Sequence, residues 1–161
     1  MDENDLWQYS LDVYDSTAAA DACLALQDHF KANVNLLLYY TWIARRHGRT
    51  VDNELCARTE RHIAPLVNDL LQPMRSIRRS IDKTSASPDL LQFRKNILNL
   101  ELEAENIIQK RLFDLTPDLL DLTEPSDLSV RDRQKYNLAV YGEFLGTAFP
   151  DEHLEPFLDH C

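Results

Sequence analysis

The sequence predicts an all-α fold: one helical bundle of about six to seven helices, with a buried central helix and a long antiparallel helical hairpin. Three observations predict it. Only three glycines, Gly48, Gly142 and Gly146, occur in 161 residues, whereas strand-rich folds need many positive-φ turns, which glycine supplies cheaply. Apolar residues recur at alternating spacings of three and four over residues 67–81 and again over 90–107, the period of a helix–helix seam. Residues 33–47 are apolar on nearly every side, which suits a helix at the centre of a bundle.

The elements follow in order. Trp7, Leu11 and Tyr14 fall at i, i+4, i+7 and mark one face of a first helix. Asp15-Ser16-Thr17 offers an N-cap for a second over residues 18–30. Residues 31–33 form a joint, and Asn33 caps a third helix that runs to His47. Gly48 fits the left-handed position that ends it, and Arg45, Arg46 and His47 in its last turn suit the helix dipole. Asp52 caps a shorter fourth helix through His62, and Pro65 fits the first turn of the next. Val67, Leu70, Met74, Ile77 and Ile81 form the first seam. Pro73 interrupts it and is expected to kink the helix, because its missing N–H breaks an internal bond.

A polar turn at residues 84–88 leads to the second seam, Leu90, Phe93, Ile97, Leu100, Ala104 and Ile107, on a long helix to about Phe113. The short turn makes the two long helices an antiparallel hairpin. Residues 116–127 hold two prolines and Asp alternating with Leu, and read as an irregular linker. A final helix over residues 129–145 carries Tyr136, Val140, Tyr141 and Phe144, and the acidic, aliphatic tail of residues 149–161 holds at most one loose helical turn. The expected organisation is a helical core at 1–114, an acidic linker at 115–128, and a C-terminal helix with its tail at 129–161.

Seventeen Lys and Arg face 27 Asp and Glu, a net charge of -10. Duplex binding requires cations to neutralise phosphates, and anionic membranes require the same, so neither nucleic acid nor membrane is an expected partner. No apolar run approaches the ~20 residues that span a bilayer, and the acidic start, Met1 to Asp5, does not read as a signal peptide. Cys23, Cys56 and Cys161 are odd in number and widely spaced, with no CxxC pair. The expected setting is the cytoplasm.

No Glu-x-x-His pair suits a di-iron core, no G-x-S-x-G elbow is present, and no clustered glycines form a phosphate loop. Neither metal nor cofactor is therefore expected. Arg75, Arg78 and Arg79 share one helix face at i, i+3, i+4, and Arg45 belongs to a second group with Arg46 and Arg49. Arginines so placed can hold a small anion, or they can pair with the chain's own carboxylates, which is the commoner use. Gln27, Asn33 and Asn35 interrupt apolar stretches. Buried amides need partners, and the structural reading has them cap the third helix and tie the second to it; the functional reading has them line a pocket.

Cys23-Leu24, Leu26-Gln27-Asp28, Val34-Asn35, Leu37-Leu38, Trp42, Pro73, Arg75, Arg78 and Arg79 make a pattern that resembles a family of small, uncharacterised proteobacterial proteins classed as a domain of unknown function. The resemblance covers about the first two-thirds of the chain; Met74 departs from it, standing where the family usually has Leu. It implies a helical fold and a bacterial cytoplasmic setting, and supplies no catalytic residue. The expected function is that of a non-enzymatic binding or regulatory protein acting through protein–protein contacts, with residues 116–127 and 149–161 as segments that fold on docking. The alternatives are a binder of a small anionic ligand through Arg75, Arg78, Arg79 and Arg45, and an enzyme whose site the sequence does not display.

Overall fold

Short polar side chains start four of the helices. Ser16 Oγ accepts from the Ala19 amide (3.3 Å), Asn33 Oδ1 from Asn35 (2.9 Å), Asp52 Oδ1 from Leu55 (2.8 Å) and Ser129 Oγ from Asp132 (3.1 Å), each satisfying an amide that the helix itself cannot. A computed structural model describes residues 5–161; the acidic residues 1–4, part of the stretch read as no signal peptide, lie outside the described residues. The helices are α1 (Asp5–Tyr14), α2 (Thr17–Phe30), α3 (Val34–Arg46), α4 (Asn53–Leu66), α5 (Gln72–Ser80), α6 (Pro88–Leu120), α7 (Val130–Phe144) and α8 (Asp151–Leu158). The only strands among the described residues are β1 (Arg49–Thr50) and β2 (Glu124–Pro125), which pair antiparallel with Arg49 opposite Pro125. The fold is an all-α bundle.

α3 is its centre. Eleven consecutive residues, 34–44, are buried, and the helix lies against α1, α2, α6 and α7. Its hydroxyls are satisfied in the core: Tyr39 with Thr116 on α6 (2.9 Å), Tyr40 with Thr59 on α4 (2.7 Å), and Thr41 with Tyr9 on α1 (3.0 Å). Gly48 follows with φ +65°, the left-handed turn expected of it.

Three expectations for local structure are corrected. The fourth helix does not stop at His62: α4 runs through Pro65 to Leu66 and continues by a π-turn, Val67–Leu71, into α5. The Gln72 amide there bonds the Val67 carbonyl, five residues back. This widened turn lies just before Pro73, whose ring would otherwise strike the carbonyl four residues earlier. The expected irregular linker at residues 116–127 is instead helical through Leu120, because Leu112, Thr116 and Leu119 keep one buried stripe on α6 despite Pro117. The tail is also ordered. α8 buries Leu154, Phe157 and Leu158 and packs on α2, so its acidic residues mask an amphipathic helix with spacing i, i+3, i+4.

Candidate functional site

Two neighbouring hollows form a cleft: the larger lies between α1 and α2 on one side and α5 and α6 on the other, and the smaller between α1, α3 and α6. The larger encloses about 380 Å³, the smaller about 110 Å³, and Tyr14, Leu102 and Glu105 line both. The cleft explains α1. Its buried residues are Leu6, Ser10 and Val13, whereas Trp7, Leu11 and Tyr14, the face read from the sequence, form one wall of the smaller hollow. Helical periodicity located that stripe, but only packing determined that it borders a cavity.

The structure brings Gln27, Arg75, Arg78 and Arg79 to this larger hollow and Asn35 to the smaller one. Arg75 donates to Glu105 at 2.8 Å and Arg78 to Glu101 at 2.5 Å, a double link between α5 and α6. Burial pushes the Glu105 carboxyl above its ordinary range, and the neighbouring Arg75 offsets this only in part. An incoming anion would have to displace carboxylates already seated on both guanidinium groups. Arg79 is different: its side chain is mostly exposed and stands 4.0 Å from Asp28. Arg45 is remote from the cleft and donates to the Cys161 carbonyl at 2.9 Å.

The three amides divide in role. Asn33 caps α3, and its backbone amide donates to the Tyr141 hydroxyl at 2.9 Å. Asn35 Oδ1 accepts from Gln109 (3.1 Å), whose own Oε1 accepts from Ser10 (2.8 Å). This relay ties α3 to α6 and α1, not to α2 as expected, because Gln109 on α6 bonds one of its amide atoms to each partner. The Gln27 side chain makes no hydrogen bond among the described residues and faces the cleft.

The sequence placed α7 but did not mark its polar residues Asn137, Arg133 and Gln134, which are buried. Arg133 grips three carbonyls, those of Ala44 (2.8 Å), Ser126 (2.7 Å) and Leu128 (2.9 Å), and so joins the end of α3 to the segment that leads into α7. Four polar residues in a row, Arg131 to Gln134, resemble a solvated face, and nothing in their spacing marks two of them as buried. Chemical groupings are sparse. His29 and His62 are exposed on different helices, and His47 meets Trp42 edge-on. Among the described residues no three His, Cys, Asp or Glu side chains come together as a metal site, and no helix is long and apolar enough to cross a membrane.

Glu60 on α4 is a testable outlier. Its Oε2 is buried with no hydrogen-bond partner, and burial pushes its carboxyl above the ordinary 4.5. The folded chain then holds this proton more tightly than the unfolded chain. The stability it contributes is complete below the unfolded value and is lost as pH rises through the folded one. Glu60→Gln is expected to raise stability near pH 7 by about 1 kcal/mol, or ~3 °C in Tm, and to leave it unchanged near pH 4. Thermal melts of both proteins across that range check this; equal differences at both ends would exclude it.

The other side of the α5–α6 hairpin is unexpectedly apolar. The two sequence seams do not close fully on each other. Met74, Ile97 and Ala104 turn inward, whereas Ile77, Phe93, Leu100 and Ile107 remain 46–52% exposed. At about 100° per residue, Phe93, Leu100 and Ile107 share one stripe, roughly opposite Leu98 and Leu102, which line the cleft. Ile77 likewise stands opposite Arg79. All four therefore lie on the outer face of the hairpin.

A family model described as "Protein of unknown function (DUF2390)" matches residues 5–112. No curated protein and no solved structure matches the chain.

Proposed function

The chain belongs to the DUF2390 family of proteins of unknown function, and we propose that it is a non-enzymatic binding or regulatory protein acting through protein–protein contacts at the outer face of the α5–α6 hairpin. One observation carries this reading: Ile77, Phe93, Leu100 and Ile107, at seam spacing, are each about half exposed on a single face. Large apolar residues scattered singly need no explanation, but a contiguous row marks a contact surface. Residues 116–120 and 151–158 are packed as helix, which supports this face over the acidic segments as the docking surface we propose. A reduced bacterial cytoplasm is the setting we propose. It accords with three free cysteines, two of them fully buried, and with thiols that burial pushes up to about 11 at Cys56 and Cys161.

Phe93→Glu is expected to leave the melting temperature within ~3 °C, because the side chain is already half in water. It is expected to remove the proteins that cross-link to the chain in its native host, with Leu98→Glu on the cleft side as control. An unchanged set of cross-linked proteins would sink the reading. The exposed Arg79 beside the larger hollow supports a second reading, a small anionic ligand held by Arg79 and Gln27. A thermal-shift series with inorganic phosphate and small carboxylates, run on the native chain and on Arg79→Ala, tests it: a ligand at a hundred times its Kd adds about 2.7 kcal/mol.

A further inference from the structure

The outer hairpin face has a symmetry that points to its occupant. Phe93, Leu100 and Ile107 are seven residues apart and so are centred on Leu100. Asp89 and Arg111 are each eleven residues from Leu100, in opposite directions, and fall on the same side of α6 as that stripe. They carry opposite charges. We infer that this face is covered by a second copy of the chain, with the two α6 helices antiparallel about a two-fold axis at Leu100. The inference rests on the contact role proposed above for the same face.

In that arrangement Leu100 meets Leu100, and Phe93 of each copy meets Ile107 of the other. Asp89 of each copy meets Arg111 of the other, so the contact closes on itself, as a two-fold interface must. The seven-residue spacing is the one that keeps two helices in contact along a shallow crossing. Both charged groups are available. Arg111 is exposed and makes no hydrogen bond or ion pair among the described residues, and Asp89 engages Ser87 and the Leu90 amide through Oδ1 alone. Ile77 of α5 extends the apolar layer, so that the two hairpins together place four helices around it.

Charge also distinguishes the hairpin segment that bears this face, its cleft side included, from the rest of the chain. Residues 72–103 carry six Lys and Arg against four Asp and Glu, whereas the other 129 residues carry eleven against twenty-three. Self-repulsion, which a net charge of -10 imposes on most approaches of two copies, is therefore weakest here. An unrelated partner would not need charges placed symmetrically about Leu100.

Sedimentation equilibrium of the full chain, up to about 100 µM to reach a weak association, is expected to give twice the chain mass. Leu100→Glu should give a monomer with an unchanged helical spectrum. Asp89→Arg and Arg111→Asp should each weaken the dimer about tenfold, and the double exchange should restore it. Leu100→Cys should form a disulfide-linked dimer under mild oxidation, which neither the native chain nor Phe93→Cys forms. A native chain that stays monomeric, or a dimer indifferent to Leu100→Glu, overturns the second copy. If such a chain still loses its cross-linked host proteins on Leu100→Glu, the contact role of the face stands and only its occupant is wrong. If those proteins are also unchanged, both fall together.

Discussion

Asn137→Ala is expected to destabilise the protein by about 3–4 kcal/mol, a fall of roughly 10 °C in Tm. The residue is fully buried on α7. Its Nδ2 donates to the Tyr40 carbonyl (3.0 Å) and the Arg49 carbonyl (3.2 Å), and its Oδ1 accepts from the Val51 amide (3.0 Å). One side chain thus satisfies three backbone groups on α3, β1 and the segment that follows. Truncation leaves the Val51 amide and Arg49 carbonyl unpaired in a place that water reaches poorly, and each such group costs about 1–3 kcal/mol. Asn137→Leu should be no milder, because filling the volume does not supply the hydrogen bonds. Thermal melts give the overall loss, and amide exchange at Val51 localises it. A variant melting within ~3 °C of the native protein would show that the three bonds are dispensable.

Trp42→Ala is expected to cost about 3–5 kcal/mol, the range for removing a large buried aromatic. Trp42 is 2% exposed. Its ring stacks on Tyr39 with centroids 5.9 Å apart, tilts on Phe113 at 5.8 Å and meets His47 edge-on at 4.9 Å. Its Nε1 donates to Asp5 at 3.0 Å, which fastens the start of α1 to the centre of the bundle. Trp42→Phe keeps most of the ring contacts and loses that bond, so it should retain more than half of the lost stability. Denaturant titrations of both variants check the order; equal losses would mean that the Asp5 bond, not the packing, dominates.

The two substitutions mark how far the sequence could be read. Trp42 was legible, because an apolar segment without a polar side has no arrangement available except the middle of a bundle. Asn137 was not. Its partners lie 86 to 97 residues away in sequence, and an asparagine in the middle of a helix looks like any solvated one. The same division holds within the candidate site. Helical spacing placed Arg75, Arg78 and Arg79 on one face, but it could not say that Glu101 and Glu105 occupy the first two and leave Arg79 open.

The sequence by itself determined the helix starts at Ser16, Asn33, Asp52 and Ser129, the left-handed stop at Gly48, the pairing of α5 with α6, and the burial of α3. The caps and the stop rest on interactions within one or two turns, where residue type and spacing suffice; the pairing and the burial follow from the apolar period and from a helix with no polar side. Tertiary structure alone decided three other things: that α6 runs on through Pro117, that residues 151–158 fold as a helix against α2, and that Ile77, Phe93, Leu100 and Ile107 face outward while Met74, Ile97 and Ala104 face in. The reason is that a helix with apolar residues around more than half its circumference has several faces it could bury. Which one it buries depends on what distant segments bring to it, and here they leave one such face uncovered.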